Sequence, residues 1–86
     1  VYYRLAEAYN KQSKYDSAIK NAKTALQYEK GGKTDKAKIY FEIGFAYQMK
    51  GAKAEACSAY TNAAFGSFSA PAKHSMEFEL KCESTN

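Results

Sequence analysis

The chain of 86 residues has no tryptophan, a single histidine, a single proline, two cysteines and no long apolar run. Each shortage excludes something. One histidine, His74, with no second base beside a nucleophile, leaves no acid–base or nucleophilic constellation to read. The glycines form no phosphate loop, because Lys30-Gly31-Gly32-Lys33 lacks the required spacing and is more simply a helix-breaking turn. Glu77 and Glu79 diverge by about 200° on a helix, so they make no paired carboxylates. Cys57, His74 and Cys82 are the residues that would suggest a zinc site. On one helix His74 and Cys82 sit roughly 12 Å apart, too far to share an ion bound at roughly 2 Å by each. No stretch approaches the roughly 20 apolar residues that span a bilayer. No metal, cofactor or enzymatic activity is expected.

What is present is helical. Ala and Lys dominate, β-branched residues are few, and 45% of the residues are hydrophobic. The net charge of +4 comes from lysines interspersed with Asp16, Glu29, Asp35 and Glu55, the distribution of a solvated helical surface. It does not have the look of a phosphate-tracking stripe, so nucleic acid is disfavoured as a partner. The chain opens on Val1, partway through a repeating unit, and reads as a piece of a longer protein. Its compartment is not legible.

The first residues recur in phase. Tyr2, Ala8, Tyr9, Ala18 and Ala25 return as Tyr40, Ala46, Tyr47, Ala56 and Ala63, an offset of 38 residues. Val1, Tyr3, Leu5 and Ala6 return as Ile39, Phe41, Ile43 and Gly44. A repeat of this length implies stacked supersecondary units, each unable to bury its apolar face alone.

Five helices are expected. The first runs from Val1 to about Gln12, with Tyr2, Leu5, Ala6 and Tyr9 on one face. The second runs from Tyr15 to about Glu29, with Ala18, Ile19, Ala22, Ala25 and Leu26 on one stripe. Thr34 offers a cap for the third, which ends at Met49 or Lys50 because Gly51 suits a left-handed stop. The fourth covers about Lys53–Phe65. Pro71 suits the first turn of a fifth. Met76–Cys82 alternates apolar and polar like a strand, but a lone strand has nothing to pair with, so helix is preferred. Glu83–Asn86 is expected to fray.

Within each unit a large aromatic precedes an aliphatic and a tiny residue by three and four positions, and a second aromatic follows. Alanines come nine and sixteen residues beyond that. The pattern falls on Tyr2, Leu5, Ala6, Tyr9, Ala18, Ala22 and Ala25, then on Tyr40, Ile43, Gly44, Tyr47, Ala56, Tyr60 and Ala63. It resembles the tetratricopeptide repeat (TPR), a helix-turn-helix unit, over about residues 1–65. The match departs in having Tyr at the usual tryptophan-like position, no proline after the first copy, and a period longer than the usual 34 or so.

The resemblance implies an all-α, right-handed superhelical α-solenoid of antiparallel hairpins. Its parts would be a first hairpin over residues 1–29, a connector over 30–36, a second hairpin over 37–66 and a capping helix over 71–83. It also implies a non-catalytic scaffold that binds a protein or peptide partner on a concave face, built mainly from the first helix of each unit. Residues on that face are Tyr3, Glu7, Asn10, Lys11, Phe41, Phe45, Gln48 and Met49. Tyr3, Phe41, Phe45 and Met49 form an apolar ladder, and Asn10 and Gln48 could hydrogen-bond a ligand backbone. The same ladder could instead pack against a neighbouring hairpin or the fifth helix. The lysine-and-asparagine clamp with which some TPR proteins hold a C-terminal carboxylate is not matched. Self-association as a homodimer is the alternative function, and an RNA-binding helical repeat is a weaker one.

The cysteines leave two readings. If the fourth and fifth helices are antiparallel around a turn near residues 66–70, Cys57 and Cys82 lie nearly level and a disulfide is permitted. Two reduced cysteines acting as small hydrophobes is the preferred reading.

Overall fold

The computed structural model describes residues 1–82, and the fraying expected of Glu83–Asn86 lies outside them. Five α-helices follow one another, with no strand among the described residues. No described helix is long and apolar enough to cross a membrane.

Helix α1 (Tyr2–Lys11) turns the spacing of its apolar residues into a face that buries Ala6 and Asn10. It ends where Ser13 takes φ +64° and the Lys14 N–H donates to Tyr9 O at 2.9 Å, reversing the chain in three residues. Helix α2 (Tyr15–Tyr28) then runs back along α1, burying Ala18, Ile19, Ala22 and Ala25. The pair is antiparallel: Tyr2 at the start of α1 stacks on Tyr28 at the end of α2, ring centroids 5.7 Å apart.

Helix α3 (Lys33–Lys50) is 18 residues long and begins earlier than expected. The connector expected over 30–36 therefore shrinks, because the residues that lengthen the repeat add a turn to α3 instead of enlarging the loop. Thr34 does not cap it. Gly32 occupies the cap, and its N–H donates to Asp35 Oδ2 at 3.2 Å. Gly51, at φ +83°, stops the helix as expected. Helix α4 (Lys53–Ala63) returns along α3 and buries Ala56, Ala59, Tyr60 and Ala63.

The final segment departs most from expectation. A 3₁₀ turn (Gly66–Phe68) leads into α5 (Ser69–His74), which opens into a wider π turn over Ser75–Glu79. Here the Leu80 N–H donates five residues back to Ser75 O at 2.8 Å. The helix expected over 71–83 thus starts two residues earlier and stops at Glu79, and residue 83 lies outside the described residues. The preference for reduced cysteines is overturned: Cys57 and Cys82 form a disulfide with Cα atoms 5.9 Å apart. The bond ties the chain just past the π turn to α4, and Thr61 of α4 donates to Met76 Sδ of the π turn beside it.

Alanine supplies most of the buried core, so the helices approach closely. One cluster joins α1, α2, α3 and α4 through Ala6, Ala22, Ala25, Ile39, Ile43 and Ala59. A second joins α4 to α5 through Ala56, Tyr60, Ala63 and Ala72. α3 and α4 approach closely at Gly44, where a Cβ would meet the Tyr60 ring at 2.9 Å. Lys50 at the end of α3 pairs with Asp16 at the start of α2, so these two are also antiparallel. It follows that α1 and α3 run the same way, side by side, and share one face.

Candidate functional site

The shared face of α1 and α3 carries a groove of about 230 Å³ lined by Glu7, Asn10, Lys11, Phe41, Glu42 and Phe45. Helical spacing places these side chains. Glu7, Asn10 and Lys11 are three and four apart on α1, and Phe41 and Phe45 are four apart on α3, so each set projects from one side of its helix. Five of the eight residues expected on a binding face are brought together here.

The two helices are stitched across the groove by Asn10. Its Nδ2 donates to the Glu42 backbone carbonyl at 3.1 Å and to Glu42 Oε1 at 2.8 Å. Asn10 is only 6% exposed, and its Oδ1 is buried with no hydrogen-bond partner. The expectation that Asn10 is free for a ligand backbone is therefore corrected for its amide N–H groups, which Glu42 occupies, while its carbonyl oxygen lacks a donor. Glu42 itself was not anticipated. Burial pushes its carboxyl above the usual range, against the Asn10 hydrogen bond that favours the ionised form, and the nearby Glu7 charge pushes it further up. Its one sequence signal is an acid flanked by Phe41 and Phe45 on an otherwise apolar stripe.

Phe41 and Phe45 are half-buried, not sealed into the core. They differ in their surroundings. Phe41 meets the Tyr60 ring edge-on at 5.5 Å and Phe68 at 5.4 Å, so it is packed partly by the end segment. Phe45 has an edge contact with Tyr15 at 6.3 Å. Phe45 is thus the freer aromatic.

Three expected residues lie apart from the groove. Tyr3 lines a different hollow, of about 290 Å³, with Tyr2, Tyr28 and Lys38, and the Lys38 Nζ sits 5.0 Å over its ring. Burial, with help from Glu7 and Glu42, raises the Tyr3 pKa above its ordinary value. Gln48 is committed internally: its Oε1 accepts from the Tyr60 hydroxyl at 2.7 Å, and its Nε2 donates to Glu79 Oε1 at 2.8 Å. It is therefore no free ligand for a peptide backbone. Met49 is 51% exposed near the end of α3, four residues beyond Phe45. The apolar ladder is accordingly interrupted, with Tyr3 beneath Lys38 at one end and Met49 outside the groove at the other.

No cluster of three or more His, Cys, Asp or Glu residues able to hold a metal ion occurs among the described residues. No known family model, curated protein or solved structure matches the chain.

Proposed function

We propose that the chain is a non-catalytic, TPR-like protein-interaction module, its two hairpins stacked as a short solenoid and its α1–α3 face the concave one. A peptide or a partner helix lies in the groove there. The observation that carries this reading is the groove itself: two half-buried phenyl rings, four residues apart, flanked by polar side chains of α1. Aromatic anchors within a polar rim are the pattern by which interfaces concentrate binding energy, with truncations costing about 2 kcal/mol or more.

Phe45 is the cleaner probe, because truncating Phe41 also disturbs Tyr60 and Phe68. Selection of a displayed random-peptide library on the wild-type chain should enrich binders that Phe45→Ala no longer retains, while far-ultraviolet circular dichroism of the variant stays close to wild type. Binders that hold equally well to Phe45→Ala would place the interaction elsewhere.

A second reading, homodimerisation, is favoured by exposed apolar side chains where α1 starts and α2 ends. Tyr28 is 67% exposed, with Tyr2 and Leu5 also open beside it. Two copies meeting there would bury this patch. Sedimentation velocity over a concentration series decides it: a monomer throughout removes the dimer, and a mass-action shift abolished by Tyr28→Lys supports it.

A further inference from the structure

The groove is unlike the rest of the surface in its charge. The chain carries a net +4, yet the groove holds two carboxylates, Glu7 and Glu42, against one lysine. Among the described residues the only ion pair is Lys50 with Asp16, at a different place, so neither carboxylate is salt-bridged, although the Lys11 charge reaches Glu42. Between them stands Asn10, more than nine-tenths buried, both of its donor contacts directed to Glu42 and its Oδ1 without a donor. That oxygen is closed off from solvent, so the acceptors the groove presents are the carboxylates of Glu7 and Glu42. The groove therefore offers acceptors and aromatic faces and lacks donors, Lys11 excepted. Its volume of about 230 Å³ is below the roughly 300–1,000 Å³ of a site for a whole small ligand, and suits one large side chain.

We propose that this groove receives an arginine side chain of the partner peptide, its guanidinium held by Glu7 and Glu42, and its flat face against Phe41 and Phe45. The proposal rests on the peptide-binding reading and names the chemistry of the occupant. Arginine fits better than lysine for a stated reason. A guanidinium has five N–H donors in a rigid plane, so it can serve two carboxylates at once while stacking on a phenyl face. An ammonium has three donors and no plane. Burial of Glu42 works in the same direction, since a carboxyl held above its usual pKa gains most from an adjacent cation. Lys11 opposes the guest. It is exposed on a flexible stem at the rim, so it weakens the site without filling it.

The test sequences the library peptides whose binding depends on Phe45, then synthesises the strongest with arginine and with citrulline, its neutral near-isostere. Fluorescence anisotropy compares the two peptides on the wild-type chain, Glu42→Gln and Lys11→Ala. The expected result is enrichment of arginine, at least a tenfold loss with citrulline, at least a tenfold loss with Glu42→Gln, and tighter binding with Lys11→Ala. Glu42→Gln keeps an oxygen to accept the Asn10 hydrogen bond, so it should remain folded, which circular dichroism checks. Groove-dependent binders that lack arginine, or that bind equally well with citrulline, overturn this proposal and leave the peptide-binding reading standing. The absence of any Phe45-dependent binder overturns both.

Discussion

Gly44 faces the Tyr60 ring across the α3–α4 contact, and enlarging it has a consequence that can be worked from distances. A Cβ there would lie 2.9 Å from Tyr60 Cδ1 and 3.0 Å from Cε1 and Cγ. Ordinary carbon contacts are about 3.5–4.0 Å, so the ring or the helix must retreat by about half an ångström or more. Tyr60 cannot do so freely. It is 1% exposed, its hydroxyl is bonded to Gln48, and Phe41 lies against its ring. Overpacking of this kind costs about 1–3 kcal/mol, while replacing a mid-helix glycine by alanine returns about 1 kcal/mol of helix propensity. Gly44→Ala should therefore be destabilised by about 0–2 kcal/mol. Gly44→Leu, with three more carbons and no cavity to take them, should reach or exceed the upper end of the overpacking range. At about 4–8 °C per kcal/mol, the leucine variant should melt at least about 10 °C below wild type by circular dichroism. A double-mutant cycle with Tyr60→Leu identifies the cause. Removing the ring should relieve the clash, so Gly44→Ala should be coupled to it by about 0.5 kcal/mol or more. A Gly44→Leu chain that melts like its parent would refute the α3–α4 packing described above.

Three further outcomes are expected. The disulfide closes a loop of sequence separation 25, so replacing both cysteines by alanine should cost about 3.5 kcal/mol by chain entropy and speed amide exchange in α5 first; two titratable thiols in unreduced, denatured protein would contradict the bond. Glu42 has a raised pKa, so its contribution is fully present below the ordinary carboxylate range and is lost as pH rises through its folded value. Glu42→Gln should accordingly melt higher than wild type at pH 7, with the gap closing in acid, and a variant that melts lower at pH 7 would sink the argument. The Tyr60 hydroxyl, buried, is pushed up to about 12, so the stability it contributes is present below about pH 10 and lost towards pH 12. Tyr60→Phe should flatten the alkaline limb of the melting-temperature profile, and an unchanged limb would assign it to other groups.

The helices were legible because their signals are local. Apolar spacing marks α1 and α2, and Gly51 with its left-handed φ ends α3 wherever the rest of the chain lies. The start of α3 was missed because Thr34 is the residue of the usual capping type there, whereas Gly32 has no side chain to signal a cap. Asp35 reaches back to the Gly32 N–H, which moves the start forward to Lys33. The π turn was invisible for a different reason. It leaves the usual hydrogen-bond ladder just before the segment crosslinked to Cys57, a partner 25 residues away. The groove was half legible. Spacing along one helix places Phe41 beside Phe45, but the relative rotation of α1 and α3 decides that Asn10 meets Glu42 across 32 residues of sequence. The same long-range packing takes Gln48 away from any ligand, through Tyr60 and Glu79.

The most direct measurement is amide chemical-shift mapping of the isotopically labelled chain titrated with a library-selected peptide. The largest shifts should fall on Glu7, Asn10, Lys11, Phe41, Glu42 and Phe45, the residues lining the α1–α3 groove. Ser17 and Lys53, near the starts of α2 and α4, should stay unmoved. Shifts centred instead on Tyr2 and Tyr28, or on the exposed side of α4, would contradict the assignment of the groove as the binding face.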